Sequence, residues 1–89
     1  MFDQNMYEAI EEEFEKNRIS EDVEEVLLDM SESLADQGIM DKEIHFTQSY
    51  GETQLSVWGI CSEEEGEVNV FIKRVGIGKK EFEIEDYFL

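Results

Sequence analysis

The sequence predicts an α+β domain in which two N-terminal acidic amphipathic helices pack on a three- to four-stranded antiparallel sheet. Three observations carry that prediction. Apolar residues recur every three or four positions up to residue 37 and every second position from residue 43 onward. Gly38 stands between the two regimes, where a helix stop belongs. The chain has 89 residues, enough for one core and too few for a second domain, and 40% of them are apolar, including six Phe, three Tyr and one Trp. That apolar content separates it from a disordered acidic tail.

The first helix is expected over residues 3–17. Met6, Ile10 and Phe14 recur every four positions with Tyr7 and Ala9 beside them, and Glu8, Glu11, Glu12, Glu13 and Glu15 fill the remaining surface. Asp3 is placed to cap its start. Asn17-Arg18-Ile19 reads as a short link, and Ser20 offers the next N-cap. The second helix is expected from about Glu21 to Gln37. Val23, Val26, Leu27, Met30 and Leu34 form its apolar face, while Glu21, Asp22, Glu24, Glu25, Asp29, Glu32 and Asp36 fall largely outside it.

Four strands follow in expectation. Ile44 and Phe46 alternate with His45 and Thr47 over 43–49, and Tyr50-Gly51-Glu52 makes a turn. Gln54 to Cys61 is the second strand, with Leu55 and Val57 on one side and Trp58 and Ile60 on the other. Ser62-Glu63-Glu64-Glu65-Gly66 reads as a polar hairpin loop, and Glu67 to Arg74 as the third strand, with Val68, Val70 and Ile72 in register. Val75-Gly76-Ile77-Gly78 is expected to turn the chain. Phe82 and Ile84 suggest a short fourth strand over 81–84, and Tyr87-Phe88-Leu89 is expected to dock on the core. The chain has no Pro, no internal repeat and no low-complexity linker.

Charge dominates the functional reading. Asp and Glu number 24 against 7 Lys and Arg, a formal charge of −17. Residues 1–40 hold 13 acids and 2 bases, so the helical half is the more negative, whereas Lys73, Arg74, Lys79 and Lys80 make a local basic spot. So acidic a surface repels DNA, RNA and anionic lipid, and no direct nucleic-acid binding is expected. No apolar run approaches the ~20 residues of a membrane span, and Met1-Phe2-Asp3-Gln4-Asn5 does not resemble a secretion signal. A single Cys61 makes no internal disulfide, which suits a reducing compartment. A cytoplasmic protein, monomer or homodimer, is the expectation.

No catalytic constellation emerges. Glu63-Glu64-Glu65-Gly66-Glu67 lacks the ligand spacing of an EF-hand loop and reads as a solvated hairpin tip. His45 and Cys61 are the only residues of their kinds, with nothing in the spacing to join them as base and nucleophile, and too few to hold zinc. Gly76-Ile77-Gly78-Lys79-Lys80 lacks the phosphate-loop pattern and the helix that should follow it. No cofactor and no metal are expected. Trp58 and Phe71 are strand aromatics of opposite parity to Val57 and Val70, so they are candidates for a binding patch or dimer seam on the sheet face away from the helices; core packing is the alternative, because parity is not fixed until the helices are placed.

The acidic helices are the stronger candidate. Over roughly 17 residues, about 25 Å of helix, the second helix carries seven carboxylates. That is one per ~3.6 Å of axis, close to the ~3.4 Å per phosphate of one DNA strand. The candidate partner-binding residues are Glu11, Glu12 and Glu15 of the first helix with Glu21, Asp22, Glu24, Glu25, Asp29, Glu32 and Asp36 of the second. Far less charge would keep the chain soluble, and self-repulsion at this density costs stability. In size, charge and the runs Glu11-Glu12-Glu13, Glu21-Asp22 and Glu24-Glu25, the chain resembles small acidic phage-encoded inhibitors that mimic nucleic acid, a class that includes anti-CRISPR proteins and uracil-DNA-glycosylase inhibitors. The resemblance implies a non-catalytic protein that occupies the basic groove of a CRISPR effector, nuclease or other DNA-processing enzyme. The alternative is a small intracellular adaptor or assembly domain that binds a partner, or itself, through the Trp58 and Phe71 face.

Overall fold

The computed structural model describes residues 4–87, and it contains two helices followed by a four-stranded antiparallel meander. Helix α1 spans Gln4–Lys16 and buries Ile10 and Phe14. Its end is set by the backbone. Arg18 takes the left-handed conformation at φ +59°, the Arg18 N–H bonds the Glu15 carbonyl at 3.1 Å, and the Ile19 N–H reaches back to the Phe14 carbonyl at 2.9 Å. This is the Schellman closure, with Arg in the place Gly usually takes, and Ile19 joins Phe14 in the core. The cap expected of Asp3 lies outside the described residues.

Helix α2 spans Val23–Asp36, one turn-fraction shorter at its start than the sequence reading. Asp22, not Ser20, is the N-cap: its carboxylate accepts from the Glu25 N–H at 3.2 Å. The Ile19 N–H bond continues the α1 closure through position 19, so the chain leaves Ser20 and Glu21 before the new helix begins. Val23, Val26, Leu27, Met30 and Leu34 are all buried, as their spacing predicts. Ser31 is buried too, its hydroxyl donating to the Leu27 carbonyl at 2.8 Å. Gly38 follows at φ +70° and its N–H bonds the Ala35 carbonyl, closing the helix.

The strands are β1 (Glu43–Tyr50), β2 (Thr53–Glu64), β3 (Glu67–Ile77) and β4 (Lys80–Tyr87), in the order β1-β2-β3-β4. Each hairpin has a two-residue loop: Gly51-Glu52, Glu65-Gly66 and Gly78-Lys79. Gly51 and Gly78 alone carry positive φ in the first and third loops, the type II′ pattern, while Glu65 and Gly66 both do in the second, the type I′ pattern. Three expectations are corrected here. Ser62 to Glu64 belong to β2, not to a loop; Val75 to Ile77 belong to β3, not to a turn; and β4 runs to Tyr87. A bulge explains the second. The register slips at Lys73, so the inward parity passes from Val70 and Ile72 to Val75 and Ile77, all four buried. Broken alternation resembles the end of a strand when only the sequence is in view.

One face of the sheet carries the core: Leu55, Val57 and Cys61 of β2, Val70, Ile72, Val75 and Ile77 of β3, and Phe82 of β4. Helix α2 crosses β1, β2 and β3, and α1 lies against α2 and β4. Gly59 sits where α2 comes closest, since a Cβ there would meet the Phe71 carbonyl at 2.5 Å and Leu34 Cδ1 at 3.3 Å. The Asn17 side chain ties the layers at one end by accepting from the Thr53 hydroxyl at 3.2 Å. Among the described residues no helix lies on the opposite sheet face, and the docking expected of the Tyr87, Phe88 and Leu89 side chains lies outside what is described.

Candidate partner-binding surface

All ten carboxylates named above are exposed. At about 100° per residue, Glu25, Asp29, Glu32 and Asp36 fall within a stripe about 60° wide along the outer side of α2, away from Leu27 and Leu34. On α1, Glu8, Glu11, Glu12 and Glu15 fall within about 100° by the same construction. The geometry revises the linear density. The outer stripe of α2 offers one carboxylate per ~5.5 Å of axis, sparser than one DNA strand, because Glu24 lies on the flank toward α1 and Glu21 and Asp22 precede the helix. The negative surface is therefore a two-helix face and not a single charged rod.

The helices meet at one point of that face. Glu11 and Glu15 of α1 and Glu21 and Asp22 at the start of α2 line one cleft of about 380 Å³. The Tyr7 hydroxyl of α1 donates to Asp22 Oδ1 at 3.4 Å. Partial burial pushes the Tyr7 phenol upward, and the Asp22, Glu11 and Glu24 carboxylates push it further. Tyr50, at the end of β1, is raised by burial first and then by Asp29 and Glu21. Two phenols on different elements are thus each raised by acids of the helical half, through different carboxylates. Glu12 stands on α1 away from the cleft, and Glu32 and Asp36 continue along α2 beyond it.

Cations lie elsewhere. Among the described residues no Lys or Arg pairs with any of the ten carboxylates. Lys16 and Lys80 both approach Glu13, at 3.9 Å each, and Glu13 is outside that set. Lys73 pairs with Glu43 at 3.5 Å and Arg74 with Glu81 at 3.1 Å, both on strands. An open groove of about 930 Å³ beside the first and third hairpin turns includes Lys79 and Lys80, with Glu13 on its wall.

Trp58 and Phe71 lie on the helix-free face and not in the core, in adjacent cross-strand rows: His45–Trp58–Arg74 and Glu43–Ile60–Phe71. Trp58 is half-buried by its own neighbours. The Arg74 guanidinium sits 4.5 Å from its ring centroid, the His45 ring stacks at 6.5 Å, and its six-membered ring lies over Gly76, where a Cβ would come within 3.1 Å. A glycine there leaves room for the indole, and the indole covers backbone that glycine leaves bare. His45 is exposed on this face while Cys61 is buried on the other, so the sheet separates them; burial pushes the Cys61 thiol upward.

Sequence reasoning did not assign Tyr7 to the acidic cluster or Arg74 and His45 to Trp58. Both depend on contacts between elements that no local spacing encodes. No protein-family model matches the chain, and neither a curated protein nor a solved structure matches it.

Proposed function

We propose that the protein is a non-catalytic inhibitor that presents its helical face to the basic nucleic-acid-binding surface of a target and excludes DNA or RNA by competition. Targets of the expected kind are a CRISPR effector, a nuclease or another DNA-processing enzyme in the cytoplasm of a phage-infected cell. One observation carries the reading: ten exposed carboxylates on two adjoining helices and the link that enters the second, with no base paired to any of them among the described residues. This arrangement works against the fold. Glu8/Glu12, Glu11/Glu15, Glu25/Asp29 and Glu32/Asp36 are like charges four residues apart on a helix, each costing about 0.2–0.5 kcal/mol. A face that only needed to be soluble would interleave lysines, as the sheet does. Opposed to a partner's Lys and Arg, the same carboxylates give fast, steered and salt-sensitive association.

The test has two parts. Capture from a nuclease-treated lysate of the native host should retain a basic nucleic-acid enzyme that duplex DNA releases. Reversing Glu21, Glu24, Glu25 and Asp29 to Lys should then abolish capture while circular dichroism stays unchanged. Undiminished binding by the folded variant refutes the mimicry. A second reading, an adaptor that binds through the helix-free face, is favoured by the placement of Trp58 and Phe71 there.

A further inference from the structure

The two edges of the sheet are built differently. Edge β4 is guarded in the ways that prevent strands from pairing with other chains: Glu81, Glu83 and Glu85 along its length, a register slip, and Glu85 in the left-handed conformation at φ +54°. Edge β1 has none of these. Its eight residues pair with β2 without a bulge, and after Glu43 the run from Ile44 to Gly51 has no Lys, Arg, Asp or Glu in a chain that is 35% charged.

The register shows which backbone groups face outward. Tyr50 and Thr53 close a two-residue hairpin, so Tyr50, Gln48, Phe46 and Ile44 bond inward to β2. His45, Thr47 and Ser49 direct their N–H and C=O groups away from it. The His45 carbonyl is already taken, accepting from Gln37 Nε2 at 2.9 Å. Among the described residues Thr47 and Ser49 make one side-chain hydrogen bond, Thr47 with Ser56 at 2.9 Å, and their outward backbone groups form a short template.

We propose that this edge pairs with the same edge of a second copy, antiparallel, about a twofold axis through Gln48. A second copy is the occupant that the register fits, because the outward groups of Thr47 and Ser49 are self-complementary about Gln48. The net charge of −17 opposes self-association, and opposes it least along this strand, whose residues from Ile44 to Gly51 carry no carboxylate. In this register Thr47 of each copy exchanges both backbone hydrogen bonds with Ser49 of the other, and the Gln37–His45 bond is undisturbed. Phe46 then faces Tyr50 of the second copy, twice, converting two half-buried rings into cross-strand aromatic pairs. Gln48 is the exposed position in the inward-facing series Ile44, Phe46, Gln48, Tyr50, and it meets its own copy on the axis. Outward-directed residues pair with outward-directed residues, so both sheets keep the same side up. The result is an eight-stranded sheet with all four helices on one side, and the acidic face is doubled in extent. The pairing does not depend on the inhibitor reading.

Sedimentation equilibrium of the full chain, between about 0.15 and 1 M salt, tests it. The expected result is a reversible dimer that tightens with salt, with Thr47 and Ser49 amides gaining exchange protection as concentration rises. Gln48→Glu and Gln48→Lys, at an exposed site that both residues tolerate, should each weaken the dimer about fivefold at the lower salt, and mixing the two should restore it as a heterodimer. A wild type that stays monomeric at millimolar concentration and 1 M salt overturns the proposal. So does a dimer that Gln48→Glu leaves unchanged, or one whose Thr47 and Ser49 amides stay unprotected.

Discussion

The helical face and the helix-free sheet face solve the same problem, an excess of charge on a small domain, in opposite ways. On the sheet, opposite charges are interleaved across strands: Glu43 with Lys73, Arg74 with Glu81, and Arg74 again over the Trp58 ring. Each such exposed pair contributes little, but none of them works against folding. On the helices, carboxylates stand beside carboxylates and the nearest lysines turn to Glu13 instead. Stability therefore rests on the sheet and on the seam beneath α2, while the helical surface adds like-charge repulsion, the cost that the proposed partner would offset. Changes that load the seam should cost most, changes to the sheet face less, and changes to the helical face least.

The seam gives the largest expected effect. Gly59 faces α2, and an alanine there drives Cβ against the Phe71 carbonyl, which is backbone, and against Leu34 Cδ1. Neither can retreat without moving a strand or a buried side chain. Gly59→Ala should destabilise by about 2–4 kcal/mol, the upper end for overpacking in a tight core. Urea unfolding followed by circular dichroism measures it. A loss below about 1 kcal/mol means that α2 rides on the sheet more loosely than the contact implies.

Trp58→Ser comes next and sharpens the comparison, since it strips the sheet face while leaving the helical face intact. The half-buried indole gives up its cover over Gly76 and its contact with Arg74, for about 1–3 kcal/mol. Capture of a basic nucleic-acid enzyme should survive in the folded variant. Loss of a partner with weak salt dependence transfers the function to the sheet face.

How much of this was legible in the chain follows from the range of each signal. The helices and their buried residues could be read because 3.6-residue periodicity is local, and Val23, Val26, Leu27, Met30 and Leu34 obey it; the exposed Leu28 and the buried Ser31 are its exceptions. Two-residue alternation located the sheet, but which of its faces Trp58 and Phe71 occupy depended on where the helices pack. It failed at Lys73, where a bulge changes phase in mid-strand, and at Ser62 to Glu64, where a hairpin carries its polar residues in the strand itself. The ten carboxylates were recognisable as exposed because they sit off the apolar stripes. Their distribution over two flanks of α2, and the meeting of Glu11 and Glu15 with Glu21 and Asp22, depend on how one helix lies beside another.

Alkaline titration probes the helical face in the direction that it resists. The Tyr7 and Tyr50 phenols hold their protons more tightly in the folded chain than in the unfolded one, by partial burial and then by the acids around them: Asp22, Glu11 and Glu24 for Tyr7, Asp29 and Glu21 for Tyr50. A group whose folded pKa is raised contributes stability that is complete below its unfolded value, near 10, and is lost as pH rises through the folded value. Above about pH 10 the unfolded state binds fewer protons than the native state, so stability should fall with pH. Added salt should reduce the fall, because most of the carboxylates involved are solvent-exposed and screenable. The Tyr7→Phe variant should keep the part of the decline due to Tyr50 and lose the part due to Tyr7. Ultraviolet absorbance of the two phenols, read beside thermal unfolding from pH 8 to 11, separates these contributions. If Tyr7 titrates as an isolated phenol at low salt, neither burial nor the Asp22, Glu11 and Glu24 carboxylates act on it, and α1 sits against the start of α2 more loosely than the Tyr7–Asp22 hydrogen bond implies.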